Sequence, residues 1–230
     1  MSSTINKKMA EHISEVYHKS VRGNSKLGEP QLESYTMATE GMKHFINNLC
    51  NTPTPSVFLE LGAHKGGLTQ SALWGNKFKK AYISDNFKYD PMGAVRFAEV
   101  EFPNIKAFLA DVVKVVGERN PEQGNDVEII SADIQDMPEF EEKIDLVFFD
   151  VNYRENELRD FLINSKSSLD TFFTLAITNI GQDDRVEKLE RLLAAHNYGV
   201  LYKQVETEFG TGLSGRQSVA TFYLTNRASK

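Results

Sequence analysis

Apolar positions recur along this chain at two spacings, and the changes from one spacing to the other lay out its elements. Met9, Ile13, Val16 and Tyr17 mark one face of a first helix, and Met42, Phe45, Ile46 and Leu49 fall at i, i+3, i+4 and i+7 in a second. Between them, Arg22 to Pro30 carries Gly23, Asn24, Ser25, Gly28 and Pro30, which predicts a loop or hinge. Asn51-Thr52-Pro53-Thr54-Pro55 stops the second helix and feeds a short apolar strand, Val57 to Leu61. A helix from about Gly67 to Trp74 follows, then a strand from Ala81 to Ser84 that ends at Asp85. Pro91 and Pro103 bracket a helical piece, and Ile105, Phe108, Leu109, Val112, Val113 and Val116 give a longer helix its apolar face. Strands are predicted at Val127 to Ser131, Ile144 to Phe149 and Phe172 to Ile177, with a helix from about Glu155 to Ser165 before the third of these. A helix with Val186, Leu189, Leu192 and Leu193 on one face, capped by Asp183 or Asp184, leads to two last strand-like runs, Val200 to Val205 and Val219 to Leu224.

Strands separated by helices imply parallel βαβ units with helices on both faces of a doubly wound sheet. The last two runs have only the glycine-rich Phe209 to Gly215 between them, so they should pair as an antiparallel hairpin at one edge. The expected fold is therefore α/β, a seven-stranded mostly parallel sheet with a C-terminal antiparallel hairpin and an N-terminal helical extension. Residues 1–41 form the extension or cover, and 42–230 the main domain.

Composition narrows the classes of function. A chain of 230 residues at 40% hydrophobic can bury one sizeable core. The net charge of −6 argues against a nucleic-acid partner. The single cysteine, Cys50, can form neither an internal disulfide nor a cysteine zinc cluster, and reads as a small buried apolar residue in a reducing compartment. No apolar run approaches the roughly 18 residues of a membrane span, and Met1 to Lys8 lacks the apolar centre of a signal peptide, so a cytoplasmic protein is expected. A homodimer is compatible with the sequence and not required by it.

The chemistry-bearing stretch is Ser56-Val57-Phe58-Leu59-Glu60-Leu61-Gly62-Ala63-His64-Lys65-Gly66-Gly67-Leu68-Thr69, where an apolar strand stops at a glycine turn and a helix begins. Such a turn lets backbone N–H groups approach a ligand closely. Its spacing departs from the dinucleotide fingerprint, because Ala63 and His64 stand where a second close-approach glycine belongs, and from the P-loop, because Lys65 precedes the paired glycines. The pattern that remains, Glu60-x-Gly62-x-x-x-Gly66-x-x-Thr69, resembles motif I of the class I S-adenosylmethionine-dependent methyltransferases.

That resemblance covers about residues 42 to 226 and implies a set of site residues. In an open parallel sheet ligands sit beyond the carboxyl ends of the strands, and four of those ends carry Glu60, Asp85, Asp133 and Asp150. A ligand with a ribose diol, an adenine amine, an ammonium and a sulfonium suits carboxylates, whereas a phosphate cofactor wants the reverse. Asp85, which follows Gly62 by 23 residues, matches the family's acceptor of the ribose hydroxyls, and Asp133 beside Ile134 matches the acceptor from the adenine amine, with Asp136 as a neighbouring candidate. Glu60 would fix the glycine loop, the ligand's ammonium, or both. Ala63, His64, Lys65 and Thr69 complete the loop that would contact the cofactor, with Lys65, Thr69 or the helix amides meeting its carboxylate.

Asp150 corresponds to motif IV, which faces the transferring methyl group in the family, and is followed by Val151-Asn152-Tyr153. Asp150 is the first candidate for general base or acceptor orientation, Tyr153 the second, and His64 a third. Asp150 and Tyr153 keep the two ends of the Asp-Pro-Pro-Tyr motif of nucleic-acid adenine methyltransferases, without its prolines. The catechol-type enzymes place an Asp-Asn pair after the fifth strand, where this chain has Thr178-Asn179, so no metal is expected. The reading is methyl transfer to the oxygen or nitrogen of a small molecule. The rival readings are a nucleic-acid N6-adenine methyltransferase and a non-catalytic S-adenosylmethionine-binding protein.

Overall fold

A computed structural model describes residues 2–34, 38–87, 104–151, 155–180, 183–206, 209, 211–212 and 215–226. Helices α1 (Ser2–Val21), α2 (Glu29–Leu32) and α3 (Glu40–Cys50) precede β1 (Ser56–Leu61), α4 (Gly67–Leu73) and β2 (Phe78–Asp85). Then come α5 (Ile105–Arg119), β3 (Val127–Ser131), a 3-10 turn at Ile134–Asp136, β4 (Ile144–Phe149), α6 (Glu155–Asn164) and β5 (Leu169–Thr178). The chain closes with α7 (Asp183–Ala195), β6 (Tyr198–Glu206), a two-residue ribbon of β7 (Thr211–Gly212) and β8 (Gly215–Arg216), and β9 (Val219–Asn226). Strand β2 begins three residues before the predicted Ala81 and β5 three before Phe172, because sheet pairing extends runs whose first residues alternate with solvent. The hinge predicted at Arg22 to Pro30 holds the start of the short α2. The helical piece expected between Pro91 and Pro103 lies outside the described residues.

The main sheet runs β3-β2-β1-β4-β5-β9-β6, with β1 paired in parallel to β2 and β4, and β9 antiparallel to both β5 and β6. The hairpin therefore folds back: β9, last in sequence, inserts beside β5 and leaves β6 at the edge. Strand β1 is buried along its whole length, which is what a central parallel strand covered on both faces requires.

Side chains alternate between two apolar layers. Phe58, Ile83, Leu146 and Phe148 project to a face packed with α1, α3, α4 and α5, while Leu59, Leu61, Val147 and Phe149 join Leu158, Phe161, Leu189 and Leu193 of α6 and α7 on the other. Helix α1 belongs to the first layer. Its Ile13, Val16 and Tyr17 are buried with Phe45, and the Tyr17 hydroxyl shares a 2.9 Å hydrogen bond with Thr221 Oγ1 of β9. Cys50, at the end of α3, is buried there too, as the sequence predicts. Among the described residues, no helix is long and apolar enough to cross a membrane.

Candidate cofactor and acceptor site

The carboxyl ends of β1, β2, β3 and β4 lie side by side, and the turn from β1 to α4 sits across them. Gly62 takes φ +90° and Gly66 +79°, a region that an L side chain enters only with strain. Each glycine also answers a close approach within the chain. A Cβ on Gly62 would lie 2.5 Å from the Asp150 carbonyl oxygen, so this glycine lets the end of β4 pass beside the turn. A Cβ on Gly66 would lie 2.7 Å from Leu109 Cδ1, so this one admits α5.

The turn's N–H groups are largely committed within the chain. Those of Gly62 and Ala63 donate to the Ser84 carbonyl at 2.9 and 3.2 Å, that of Gly66 to the Ala63 carbonyl at 2.8 Å, and that of His64 to Asp85 Oδ2 at 2.8 Å. Asp85 Oδ1 accepts from the Phe87 N–H at 2.7 Å. Asp85 thus holds two residues, His64 and Phe87, whose backbones lie at φ +48° and +54°. Each carboxylate oxygen keeps a second lone pair, so this anchoring is compatible with accepting ribose hydroxyls as well.

Beside it, Asn86 Nδ2 donates to Asp133 Oδ1 at 2.7 Å and ties the end of β2 to the chain leaving β3. The two aspartates that the sequence leaves as alternatives differ in setting: Asp133 is half-buried and held in place, whereas Asp136 is exposed in the 3-10 turn. Ile134 packs against the apolar layer on the α6 side.

The centre of the sheet is built differently. Glu60 projects from β1 onto the α3 and α4 face, is 1% exposed, and accepts at Oε2 from the Thr69 hydroxyl at 2.8 Å. Its Oε1 is buried and has no hydrogen-bond partner among the described residues. Burial pushes its carboxyl up to about 8; the Thr69 bond opposes the shift, and the nearby charges of Asp150 and Asp85 add to it. Asp150, whose N–H donates to the Leu61 carbonyl at 2.9 Å, is pushed up to about 7 by burial, against a hydrogen bond donated to its Oδ1 by Thr178 Oγ1. Thr178, at the end of β5, is thus the partner of Asp150. Asn179 has φ +58°, and its N–H donates to the Ser218 carbonyl at 2.9 Å. No group of three His, Cys, Asp or Glu side chains among the described residues could hold a metal ion.

His64 and Lys65 lie in the turn as expected, His64 half-buried and Lys65 buried, while Tyr153 lies outside the described residues. Sequence reasoning missed Asn86, which is signalled only by being a polar residue directly after a strand-end aspartate. It read Thr178 as a lost metal ligand, although a hydroxyl at a strand end opposite a buried aspartate is also a donor.

No protein-family model matches the chain, and no curated protein matches its sequence. Solved structures do match its fold. A protein of Pyrococcus horikoshii described as a candidate RNA methyltransferase superimposes with a TM-score of 0.54 at 15% identity, over 93% of this chain and 95% of its own. The N-methyltransferase NodS of Bradyrhizobium japonicum, in complex with S-adenosyl-L-homocysteine, gives 0.53 at 12% identity, over 90% of this chain and 97% of its own. TYW2 of M. jannaschii, in complex with AdoMet, gives 0.53 at 16% identity, over 84% and 79%. The fold is that of the class I methyltransferases, as the motif I resemblance implies.

Proposed function

We propose that this protein binds S-adenosylmethionine across the carboxyl ends of β1 to β4 and transfers its methyl group to an oxygen or nitrogen of a small molecule. The observation that carries this reading is the set of acceptors at the sheet end. Four carboxyls gather at that sheet end, those of Glu60, Asp85, Asp133 and Asp150, which suit amines and hydroxyls and repel phosphates, and one of them, Glu60, is buried with an oxygen that has no partner among the described residues. The solved structures of the same fold named as complexes with S-adenosyl-L-homocysteine and AdoMet support the same ligand class. Asp85 would accept from the ribose hydroxyls, Asp133 and Ile134 would take the adenine, and Glu60 and Thr69 with the turn residues Gly62 to Gly66 would enclose the methionine end.

When bound, the cofactor supplies a methyl group already activated on a cationic sulfur, so holding the acceptor in line with it can supply most of the acceleration. Asp150 then has one task at one atom. Thr178 fixes Oδ1 and leaves Oδ2 to orient the acceptor and take its proton, and a carboxyl near 7 suits that role at neutral pH. The small-molecule acceptor is favoured over RNA by the net charge of −6.

Differential scanning fluorimetry tests the ligand. S-adenosyl-L-homocysteine at about 100 times its dissociation constant should stabilise the fold by about 2.7 kcal/mol, while NAD and ATP leave the melting temperature unchanged. A larger shift with NAD refutes the cofactor, and salt-sensitive retention on RNA refutes the small-molecule acceptor.

A further inference from the structure

The strand ends opposite the candidate site carry a second opening. A cleft of about 270 Å³ lies where the last residue of α4, the last turns of α5 and the first residue of β3 meet. Strands β2 and β3 run parallel, and the cleft lies where β3 begins, so the length of the sheet separates it from Asp85 and Asp133. Leu73 and Val116 are its buried floor, Val113 and Val127 its half-buried walls, and Gly117 and Gly124 are exposed at its rim.

The cleft is held open by hydrogen bonds made within the chain. Asn120 Oδ1 accepts from the Gly75 N–H at 3.2 Å while its Nδ2 donates to the Val116 carbonyl at 2.9 Å. Asn125 Oδ1 accepts from the Phe78 N–H at 2.8 Å while its Nδ2 donates to the Asn76 carbonyl at 2.9 Å. Both side chains line the cleft, and both tie α5 and the turn after it to the segment between α4 and β2. No residue of the lining carries a charge.

Gly117 differs from the glycines of the β1–α4 turn. Gly62 and Gly66 stand at positive φ and at close approaches; Gly117 stands at neither, and a Cβ there would meet nothing within 4 Å. Glycine inside a helix weakens it. What the absent side chain leaves is room in the cleft, beside Val113, which lies one turn earlier on the same side of α5.

We propose that this cleft is a binding site for a small, uncharged apolar ring. Pockets for drug-sized ligands begin at about 300 Å³, so a bicyclic ring of about ten non-hydrogen atoms suits its size. A charged ligand would give up water and find no counter-charge in the lining, whereas an apolar ring covers four aliphatic side chains that the fold leaves facing the cleft. The inference stands apart from the cofactor reading and uses none of its residues.

Methyl NMR of the full chain, with isoleucine, leucine and valine labelled, tests the site with indole. Saturable shifts are expected at Leu73, Val113, Val116 and Val127, with half-saturation at about 5 mM or tighter. Benzoate, a ring compound of similar size that bears a charge, should bind about tenfold more weakly or not at all. Gly117→Leu puts a side chain into the cleft and a better helix former into α5, so it should abolish the indole shifts without lowering the melting temperature. Shifts that do not saturate, that appear at Leu61 and Ile134 instead, or that persist in Gly117→Leu overturn the proposal. Should that variant fail to fold, the native protein still decides, because benzoate binding as tightly as indole overturns it too.

Discussion

The centre of the sheet and its β2–β3 flank carry the same residue type at their strand ends and put it to different use. On the flank, Asp85 and Asp133 are half-buried and act through hydrogen bonds they accept, Asp85 from the His64 and Phe87 amides and Asp133 from Asn86. At the centre, Glu60 and Asp150 each have one hydroxyl donor among the described residues, from Thr69 and Thr178, and both are pushed towards the neutral acid by burial. Asp145, at the opposite end of β4, behaves as they do: it accepts from the Val57 N–H at 3.1 Å and is pushed up to about 7, burial again being the main cause. β2 is flanked by strands just as β1 and β4 are, so what differs is the donors: the flank carboxylates accept amide N–H bonds, whereas Glu60 and Asp150 each meet a hydroxyl and desolvation prevails.

The pH dependence of stability tests this contrast with the largest effect. A carboxyl raised in the folded state holds a proton that the unfolded chain releases near its ordinary value. Its contribution is therefore complete below about pH 4 and is lost as pH rises, through about 8 for Glu60 and about 7 for Asp145 and Asp150. Each group should remove up to about 1.4 kcal/mol per pH unit within its window, several kcal/mol in total between pH 5 and 8. Urea denaturation across that range should show the decline, and Glu60→Gln should flatten it most at the upper end. A stability that stays level from pH 5 to 8 would mean that the central carboxyls are solvated like any others.

Gly62→Ala breaks the junction between the two central strands. The added methyl meets the Asp150 carbonyl at 2.5 Å and the backbone must keep φ +90°, so steric overlap and a strained backbone combine. A loss of about 2 to 4 kcal/mol is expected in the same denaturation experiment. Gly124→Ala, also at positive φ but with nothing within 4 Å of its Cβ, should cost only about 1 to 2 kcal/mol. Equal losses would show that the close approach of β4 contributes nothing.

Asp85→Ala sharpens the flank side. Removing a carboxylate that accepts two backbone N–H groups should cost about 1 to 3 kcal/mol of stability even without ligand, because the His64 and Phe87 amides lose their acceptor. Affinity for S-adenosyl-L-homocysteine should fall as well. An unchanged melting temperature together with weakened binding would assign Asp85 to the ligand alone.

The order of elements was legible in the sequence, because side-chain periodicity is a local property. The apolar strand β1, the apolar faces of α1 and α3, and the closing antiparallel strands stand where the spacing puts them. So was the special character of Gly62, since glycine enters a tight strand-to-helix turn at φ +90° without the strain that a Cβ brings. The partner that needs Gly62 to be small could not be read, because Asp150 is far along the chain and reaches the turn only through the pairing of β1 with β4. The pairings of Glu60 with Thr69, Asp150 with Thr178, and Asp133 with Asn86 were equally hidden. Four acidic residues at four strand ends look alike in a sequence. Their partners, and the upward push on the Glu60 and Asp150 carboxyls, were decided only by the packing, since the energy of a charge depends on the water and dipoles around it in three dimensions.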